Sequence, residues 1–161
     1  MRRWGERVEP GRRYRHRPGA YAILWNGSGL LLTFQAEPRP EVQLPGGGID
    51  PGESALRALH REVREETGWS IAGARRLGAY RRFAFMPEYD LWAEKVCQVW
   101  LARPVRRLGE PSEAGHVAFW ASPEAALGML ANDGERDFLR RALGWRSWSS
   151  RVGGATSGGP A

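Results

Sequence analysis

Residues 47–69 read GGIDPGESALRALHREVREETGW, a glycine-rich loop followed by a segment that predicts an α-helix. Glu62, Glu65 and Glu66 stand at positions i, i+3 and i+4, so on a helix they share roughly one turn. Like charges at this spacing repel each other by about 0.2–0.5 kcal/mol per pair. A divalent cation bound by oxygen ligands reverses that sign, because it needs clustered carboxylates. The spacing therefore predicts a cation site on this helix.

The glycine loop and the ends of the helix carry their own signals. We expect residues 45–48 to be neither helix nor regular strand, because glycines there permit positive φ and let backbone N–H groups approach an anion. A turn is predicted at residues 51–52, and the helix is expected to begin at residue 53 or 54. Gly68 is typical of the residue that ends a helix.

Helical periodicity sorts the side chains of this segment by face. Leu56, Leu59 and Val63 fall on one apolar stripe, which predicts that all three are buried. Ala55 and Ala58 precede the carboxylates on nearly the same face, where small side chains leave room for a metal and a phosphate.

An ordinary solvated helix face is the simpler interpretation of the same acids. Arg57, Arg61 and Arg64 lie nearby and could offset the repulsion among the glutamates without any metal. The glycine loop, Glu53 and Gly68 stand in register with the acids, and this combination favours the catalytic interpretation.

The spacing G-x5-E-x7-R-E-U-x-E-E-x-G-U, with U a bulky apolar residue, resembles the Nudix box of the Nudix hydrolase family. The matching positions are Gly47, Glu53, Arg61, Glu62, Val63, Glu65, Glu66, Gly68 and Trp69. Only the last is a loose match, because an aliphatic residue is more usual there. The resemblance implies an α/β fold, an α/β/α sandwich with a mixed central sheet, and strands mixed with a few helices suggest the same class.

Family members typically hydrolyse a nucleoside diphosphate linked to another group, while Mg²⁺ or Mn²⁺ neutralises charge. Such chemistry needs cations that bridge phosphate oxygens and lower the pKa of bound water. By that resemblance the metal ligands would be Glu62, Glu65, Glu66 and Gly46.

The resemblance also implies roles for the remaining residues of the box. Arg61 would fix a glutamate by a charge-assisted hydrogen bond, and Glu53 would support the loop or reach the metal. The backbone of Gly46, Gly47 and Gly48 would contact phosphate or metal.

A base outside the box is common in the family, often a glutamate in the loop before a strand that ends in tryptophan. Glu113 precedes residues 115–120 in this way, and it is the candidate general base or additional metal ligand. The alternative is an exposed loop acid. Glu94 is a weaker candidate, since an acid on a strand usually lies on the solvated face.

Basic and aromatic residues outside the box are candidates for substrate contact, although solvated strand positions and sheet core are their simpler interpretations. The candidates for phosphate contact are Arg39, Arg81, Arg82 and Lys95. The candidates for stacking on a base are Tyr80, Phe83 and Phe85.

The chain of 161 residues suits one compact domain with a substantial core. No run approaches about 18 consecutive apolar residues, so no membrane span is expected. No charged-then-apolar leader indicates secretion, and we expect a cytoplasmic protein. A single cysteine, Cys97, excludes an internal disulfide and is expected to be a small core residue.

The net charge of +6 is concentrated near the N terminus, because residues 1–19 hold seven arginines and two glutamates. We divide the chain into a basic arm (1–17), a Nudix-like domain (18–144) and a Ser/Gly-rich tail (145–161) that is expected to be disordered. The arm could hold RNA or steer anionic nucleotides, and the simpler alternative is a solvated or partly disordered leader.

Apolar alternation and turn residues predict the other elements. Strands are predicted over residues 21–25, 30–35, 41–44, 77–83, 91–102 and 116–121. Residues 103–115 are expected to form a connecting loop. Ser122 and Pro123 predict a helix start, and a C-terminal helix is predicted over residues 133–143.

The leading prediction of function is a Mg²⁺-dependent diphosphatase acting on a free nucleoside triphosphate, oxidised or not. The alternatives of the same chemistry are removal of pyrophosphate from RNA 5′ ends, motivated by the arm, and cleavage of a dinucleoside polyphosphate. An alternative function of another class is a nucleotide-sensing module without turnover. The presence of all three acids of the box, Glu62, Glu65 and Glu66, argues against it. A homodimer is compatible with each of these.

Overall fold

The computed structural model describes the backbone of residues 1–152 and the side chains through Gly144. Its strands are β1 (Arg3–Gly5), β2 (Arg15–Trp25), β3 (Leu30–Gln35), β4 (Glu41–Gln43), β5 (Gly46–Gly48), β6 (Trp69–Met86), β7 (Leu91–Arg107) and β8 (His116–Ala121). Its α-helices are α1 (Ala55–Thr67), α2 (Pro123–Met129) and α3 (Asp133–Val152), and a short 3₁₀ turn at Pro87–Tyr89 joins β6 to β7. None of the helices in this range has the length and apolar character to cross a membrane.

All the strands belong to one mixed sheet. Its order is β1-β6-β7-β2-β3-β4, with β5 paired to β2 and β8 paired to β3. The pairs β1/β6 and β2/β7 are parallel, and the other pairs are antiparallel.

Two hydrophobic cores cover the two faces of this sheet. Alternate residues of β2 point to opposite faces, so Tyr21 and Ile23 pack with Leu139 of α3, while Ala22 and Leu24 pack with Leu59 of α1. Helix α1 therefore covers one face, and α2 with α3 covers the other. The predicted α/β/α sandwich with a mixed central sheet is confirmed. Cys97 lies in the core beside α3, as predicted.

Helix α1 ends where the sequence predicts, and it begins at Ala55, directly after the predicted start at residue 53 or 54. The Ser54 side chain accepts a hydrogen bond from the backbone N–H of Arg57 at 3.3 Å, and Gly68 ends the helix with a φ of 73°. The predicted apolar stripe is wrong at Leu56, which is 43 % exposed. The buried face is rotated toward the carboxylates, so it includes Ala58 and Glu66 instead.

The glycine segment is more regular than predicted, because residues 46–48 form β5 and pair with Gly19–Tyr21 of β2. Gly46 has a φ of 141°, and a Cβ at this position would overlap the carbonyl oxygen of Ala20. Glycine therefore lets β5 approach β2 closely, which a side chain would prevent.

Strands β6 and β7 extend beyond their predicted limits. Their ladder runs from Trp69 opposite Arg107 to Met86 opposite Leu91, with three register irregularities. The predicted loop at 103–115 therefore begins only after Arg107. Residues 103–107 show little apolar alternation, and pairing with β6 decides their conformation.

The N-terminal residues join the sheet at two places, although most of their side chains, including those of Arg3, Arg7 and Arg13, are exposed. Strand β1 pairs with β6, and Arg15 at the start of β2 lies opposite Ala93 of β7. The ring of Tyr14 packs edge-to-face on Phe83 with centroids 5.1 Å apart. Helix α3 continues past its predicted end at residue 143 and takes in residues 145–152 of the predicted disordered tail. The rest of that tail, residues 153–161, lies outside the described residues, and its disorder stays a prediction.

Candidate active site

The glycine strand meets the box helix at two carboxylates. The backbone N–H of Gly46 donates a hydrogen bond to Glu66 Oε2 at 2.9 Å. A Cβ on Gly47 would lie 2.5 Å from the carboxylate carbon of Glu62. The absence of side chains on β5 thus brings its backbone into direct contact with the acids of α1.

Arg61 joins the acids and the glycine strand to one another. Its Nε and Nη2 donate to Glu53 at 3.0 and 2.8 Å, and its Nη1 donates to Glu62 at 2.6 Å. Nη2 also donates to the carbonyl of Gly48 at 3.0 Å, and Nη1 reaches Glu65 at 3.4 Å. These contacts fix the position of the β5–α1 loop relative to the helix.

The guanidinium of Arg61 affects Glu53 most strongly among the acids that it contacts. Its hydrogen bond lowers the pKa of Glu53 to about 2, and the same bond is the main reason that the pKa of Arg61 is raised. Both oxygens of Glu53 are used by this pair and by the backbone N–H of Asp50. Of its two predicted roles, the geometry favours support of the loop.

Burial sets the properties of two other carboxyls. Glu66 is only 3 % exposed, and burial raises its pKa well above the ordinary value, although the N–H of Gly46 opposes this. Burial also raises the pKa of Glu62, which Arg61 opposes and Glu113 reinforces. Buried like charges are costly without a counter-charge, so a bound cation would stabilise this arrangement.

The loop before β8 brings Glu113 to the same place. The backbone N–H groups of Ser112 and Glu113 both donate to the carbonyl of Glu65, at 2.8 and 3.0 Å. Carboxylate oxygens of Glu113, Glu62 and Glu65 lie within 4.8 Å of one another. The structure thus places Glu113 beside the acids of the box.

His116, the first residue of β8, is a site residue that the sequence analysis did not select. Its side chain is 8 % exposed, its Nε2 lies 3.4 Å from Glu66 Oε1, and its Nδ1 lies 3.8 Å from Glu113 Oε1. Its position three residues after Glu113, at a junction of loop and strand, is the one signal that the sequence offered.

A cavity of about 280 Å³ opens over these residues. Its lining includes the glycine strand and the side chains of Glu62, Glu66, Glu113 and His116, together with Lys95 and Tyr21. Lys95 is the only lysine of the chain, and its Nζ lies 5.9 Å from the centroid of the Tyr21 ring. Burial raises the pKa of Tyr21 to about 12, so its hydroxyl remains protonated at neutral pH.

A second cavity of about 360 Å³ adjoins the first. The two share the lining residues Gln35, Gln43, Met86, Glu88 and Lys95. The second cavity adds basic, aromatic and N-terminal residues, namely Arg39, Arg82, Phe83, Phe85, Gly5 and Glu6. Together the cavities form one groove, and the part of it beyond the acidic cluster is lined by Arg39, Arg82 and Lys95 and also by Glu6, Glu41 and Glu88.

The structure does not bring Arg81 or Glu94 to this groove. They pair with each other on adjacent strands, with Arg81 Nε 3.0 Å from Glu94 Oε1. Side chains alternate along a strand, so Arg82 and its cross-strand neighbour Lys95 face the groove, whereas Arg81 and Glu94 face away. The contact to substrate predicted for Arg81 therefore has no geometric support.

The aromatic candidates divide between core and groove. Tyr80 is buried in the core, as its simpler interpretation predicts. Phe83 is also buried, beneath Tyr14, and lines the second cavity with one edge. Phe85 is half-buried and lines the same cavity.

The donor atoms fit a divalent cation. Two groups each bring three ligand atoms within 4.8 Å of one another: Glu62 with Glu65 and Glu113, and Glu66 with Glu113 and His116. Within the described part of the chain, neither ring nitrogen of His116 has a hydrogen-bond partner. Carboxylate oxygens suit both Mg²⁺ and Mn²⁺, and Mn²⁺ also accepts an imidazole nitrogen.

Comparison with known families agrees with this site. A family model described as NUDIX domain matches residues 15–142. This range contains the glycine strand, the box helix and the loop that carries Glu113. The chain belongs to the Nudix family.

Curated relatives match over shorter stretches. A Bacillus subtilis (strain 168) protein provisionally named 8-oxo-dGTP diphosphatase is 42% identical over 74 residues, which cover 46% of this chain and 50% of that protein. An RNA pyrophosphohydrolase of Dinoroseobacter shibae is 36% identical over 83 residues, which cover 50% of each. The chain spans about half the length of these curated relatives.

Solved structures match over most of the chain. A NUDIX hydrolase from Nitrosomonas europaea superposes with a TM-score of 0.66 at 22% identity, covering 81% of this chain and 90% of that one. The MutT protein of Methanosarcina mazei Go1 gives a TM-score of 0.62 at 26% identity, covering 80% and 93%. The first of these likenesses concerns the fold alone.

Proposed function

We propose that this protein is a Mg²⁺-dependent hydrolase that cleaves the pyrophosphate bond of a nucleoside diphosphate linked to another group, with Mn²⁺ as the alternative cation. The observation that carries the proposal is the cluster of Glu62, Glu65, Glu66 and Glu113 against a side-chain-free strand. Three of these acids, Glu62, Glu66 and Glu113, line the groove. An acidic cluster with one nearby arginine has a clear use when a cation and an anionic substrate bind together.

The chain's own residues position the reacting groups. When bound, the metal would neutralise phosphate charge and lower the pKa of the attacking water. The residues proposed to hold it are Glu62, Glu65, Glu66 and the carbonyl of Gly46. Arg61 orients Glu62 and Glu65, and Glu53 in turn orients Arg61. Glu113 accepts a proton from the attacking water or binds the metal as a further ligand.

We propose a free nucleoside triphosphate, oxidised or not, as the substrate. Lys95, Arg82 and Arg39 lie along the groove beyond the acids, where they would contact phosphates, and Phe85 offers an aromatic surface for a base. The name of the Bacillus subtilis relative, an 8-oxo-dGTP diphosphatase, supports this substrate class. Gly47 and Gly48 leave space for the phosphate chain beside the acids.

The experiment is a substrate panel with Mg²⁺, resolved by chromatography. It contains nucleoside triphosphates, oxidised triphosphates, nucleotide sugars, dinucleoside polyphosphates and 5′-triphosphorylated RNA. Hydrolysis of free triphosphates to a monophosphate and pyrophosphate is expected. Glu113→Gln should lower kcat, and the matched control Glu110→Gln should not, because Glu110 is an exposed acid of the same loop that pairs with Arg107. Failure to cleave any member of the panel would refute the proposal.

Removal of pyrophosphate from RNA 5′ ends is the second candidate. It is favoured by the N-terminal segment, which lines the second cavity and exposes a row of arginines. The exposed arginines include Arg3, Arg7, Arg13 and Arg15. The RNA pyrophosphohydrolase relatives support the same candidate.

Charge substitution tests this candidate better than deletion, because deletion would remove β1 and part of β2 from the sheet. The double substitution Arg7→Gln with Arg13→Gln should weaken RNA binding and reduce the slope of log affinity against log salt by about 1–2. Hydrolysis of free nucleotides should stay unchanged. An unaltered salt slope would count against RNA as the substrate.

A nucleotide-sensing module without turnover is the third candidate, and metal-dependent release of a phosphorylated product in the panel would exclude it. A cytoplasmic location and a homodimer remain predictions. Sedimentation equilibrium of the full chain would settle the second of them.

A further inference from the structure

We propose that His116 supplies a nitrogen ligand to a divalent transition metal held together with Glu66 and Glu113, and that this subsite selects Mn²⁺ over Mg²⁺. The inference rests on the metal-dependent function proposed above. It concerns a residue outside the glutamate-rich helix, and it distinguishes two ligand sets that share Glu113 and differ in their chemistry.

The surroundings of His116 point to a missing partner. A buried imidazole normally makes a hydrogen bond through at least one ring nitrogen, because an unpaired buried polar atom is costly. The side chain of His116 is 8 % exposed, and neither nitrogen makes a hydrogen bond within the described residues. Its Nε2 approaches Glu66 Oε1 to 3.4 Å, but this contact lacks hydrogen-bond geometry.

The fold holds this ring against the acids. His116 pairs with Gln35 at the first position of β8, and its backbone N–H donates to the carbonyl of Glu113 at 3.4 Å. The backbone of Gly46 fixes the carboxylate of Glu66 from the opposite side. The three ligand groups are therefore carried by a strand, a loop and a helix that are tied to one another.

The spacing suits a single ion. Ligand atoms of Glu66, Glu113 and His116 lie within 4.8 Å of one another. Two atoms bound to one metal at about 2.0–2.2 Å lie at most roughly 4.4 Å apart. Small rotations of the side chains are thus enough to close the set around an ion.

Ligand chemistry distinguishes the two ligand sets, which have Glu113 in common. Glu62, Glu65 and Glu113 offer oxygen alone, which suits Mg²⁺. The group with His116 offers nitrogen as well, and imidazole favours first-row transition ions over Mg²⁺. The nitrogen-containing subsite is therefore expected to take Mn²⁺ when both ions are present.

Pulsed electron paramagnetic resonance of Mn²⁺ bound to the full chain tests the coordination directly. The expected spectrum shows coupling of the ion to ¹⁴N, and labelling the histidines with ¹⁵N should replace it by coupling to ¹⁵N. The chain has three histidines, so the assignment needs only two variants. His116→Gln should lose the coupling, and the matched control His60→Gln, at an exposed position of α1, should keep it.

Calorimetry with each ion supplies the second readout. His116→Gln should weaken Mn²⁺ binding about tenfold or more, while Mg²⁺ affinity should change less than about twofold. The wild-type spectrum does not depend on the folding of any variant, so the proposal stays testable if His116→Gln misfolds.

Each outcome bears on one of the two proposals. Bound Mn²⁺ without histidine coupling overturns the role of His116 and leaves the hydrolase function standing. Coupling that persists in His116→Gln also overturns it, as does an equal loss of Mg²⁺ and Mn²⁺ affinity. Failure of both ions to bind would instead remove the metal-dependent function itself.

Discussion

Glu66 of α1 and Glu135 of α3 hold the same short segment from opposite faces of the sheet, yet their surroundings differ. Glu66 accepts a hydrogen bond from the N–H of Gly46 at 2.9 Å, and Glu135 accepts one from the N–H of Leu44 at 3.0 Å. Both are almost fully buried, and burial raises the pKa of both.

The difference lies in the neighbours of each carboxylate. Glu66 has Glu113 and His116 within ligand distance and lines the groove, whereas Glu135 is not among the residues that line it. A carboxyl can thus be buried only to accept a hydrogen bond from a buried backbone N–H group, as Glu135 does from Leu44. The further candidate ligands around Glu66 are the reason that we propose a functional role for it and none for Glu135, and the following predictions test that contrast.

The largest effect is expected from neutralising each carboxylate in turn. Glu66→Gln should lower kcat roughly a thousandfold, because it removes charge from the proposed cation site while its amide oxygen can still accept the Gly46 bond. Glu135→Gln should leave kcat nearly unchanged. Steady-state release of pyrophosphate measures both, with thermal melting as the control for folding. An equal loss of kcat in the two variants would contradict the proposed difference between Glu66 and Glu135.

A pH dependence of stability is expected from Glu135. Burial raises its pKa from 4.5 to about 7, so the folded state binds this proton more tightly than the unfolded state. The resulting stability is complete below about pH 4.5 and is lost as pH rises through about 7, with a total of about 3 kcal/mol. Urea unfolding of wild type and Glu135→Gln across this range measures the difference. Parallel curves for the two proteins would show that Glu135 does not titrate there.

The close approach of β5 to α1 is tested by a matched pair of glycines. Gly47→Ala should push Glu62 aside, because the new Cβ would lie 2.5 Å from the carboxylate carbon of that side chain. Moving a catalytic group by about 1 Å costs up to about a hundredfold in kcat. Gly128→Ala, on α2 and away from the groove, is the control, since a Cβ there has nothing within 4 Å. Similar kinetics for the two variants would mean that the contact with Glu62 is unimportant.

The smallest effect is expected at the support of Arg61. Glu53→Gln weakens the ion pair that orients this arginine, and it should lower kcat about tenfold. Asp50→Asn should have less effect, because Asp50 lies 3.7 Å from the guanidinium in an exposed position. A larger loss in Asp50→Asn would reverse the assigned order of the two acids.

The sequence predicts best what short-range patterns determine. Ser54 and Gly68 are the N-terminal and C-terminal caps of α1, close to the limits that the sequence predicts, because caps depend on neighbouring residues alone. Glu62, Glu65 and Glu66 come together because helical spacing places them on one turn.

The errors concern contacts between distant parts of the chain. The rotation of α1 that exposes Leu56, the pairing of β5 with β2 and the docking of β1 all depend on partners that sequence spacing does not identify. Whether a strand residue such as Arg81 faces a groove depends on register. His116 was missed because only its burial beside two acids distinguishes it from an ordinary histidine.

Calorimetric titration of the full chain with Mn²⁺ tests most directly whether the acids of α1 form a cation site. Wild type and Glu135→Gln should bind the ion with the same affinity, and Glu66→Gln should bind it at least about tenfold more weakly. Equal binding by all three proteins, or binding by none, would contradict the assignment of this cluster to a metal.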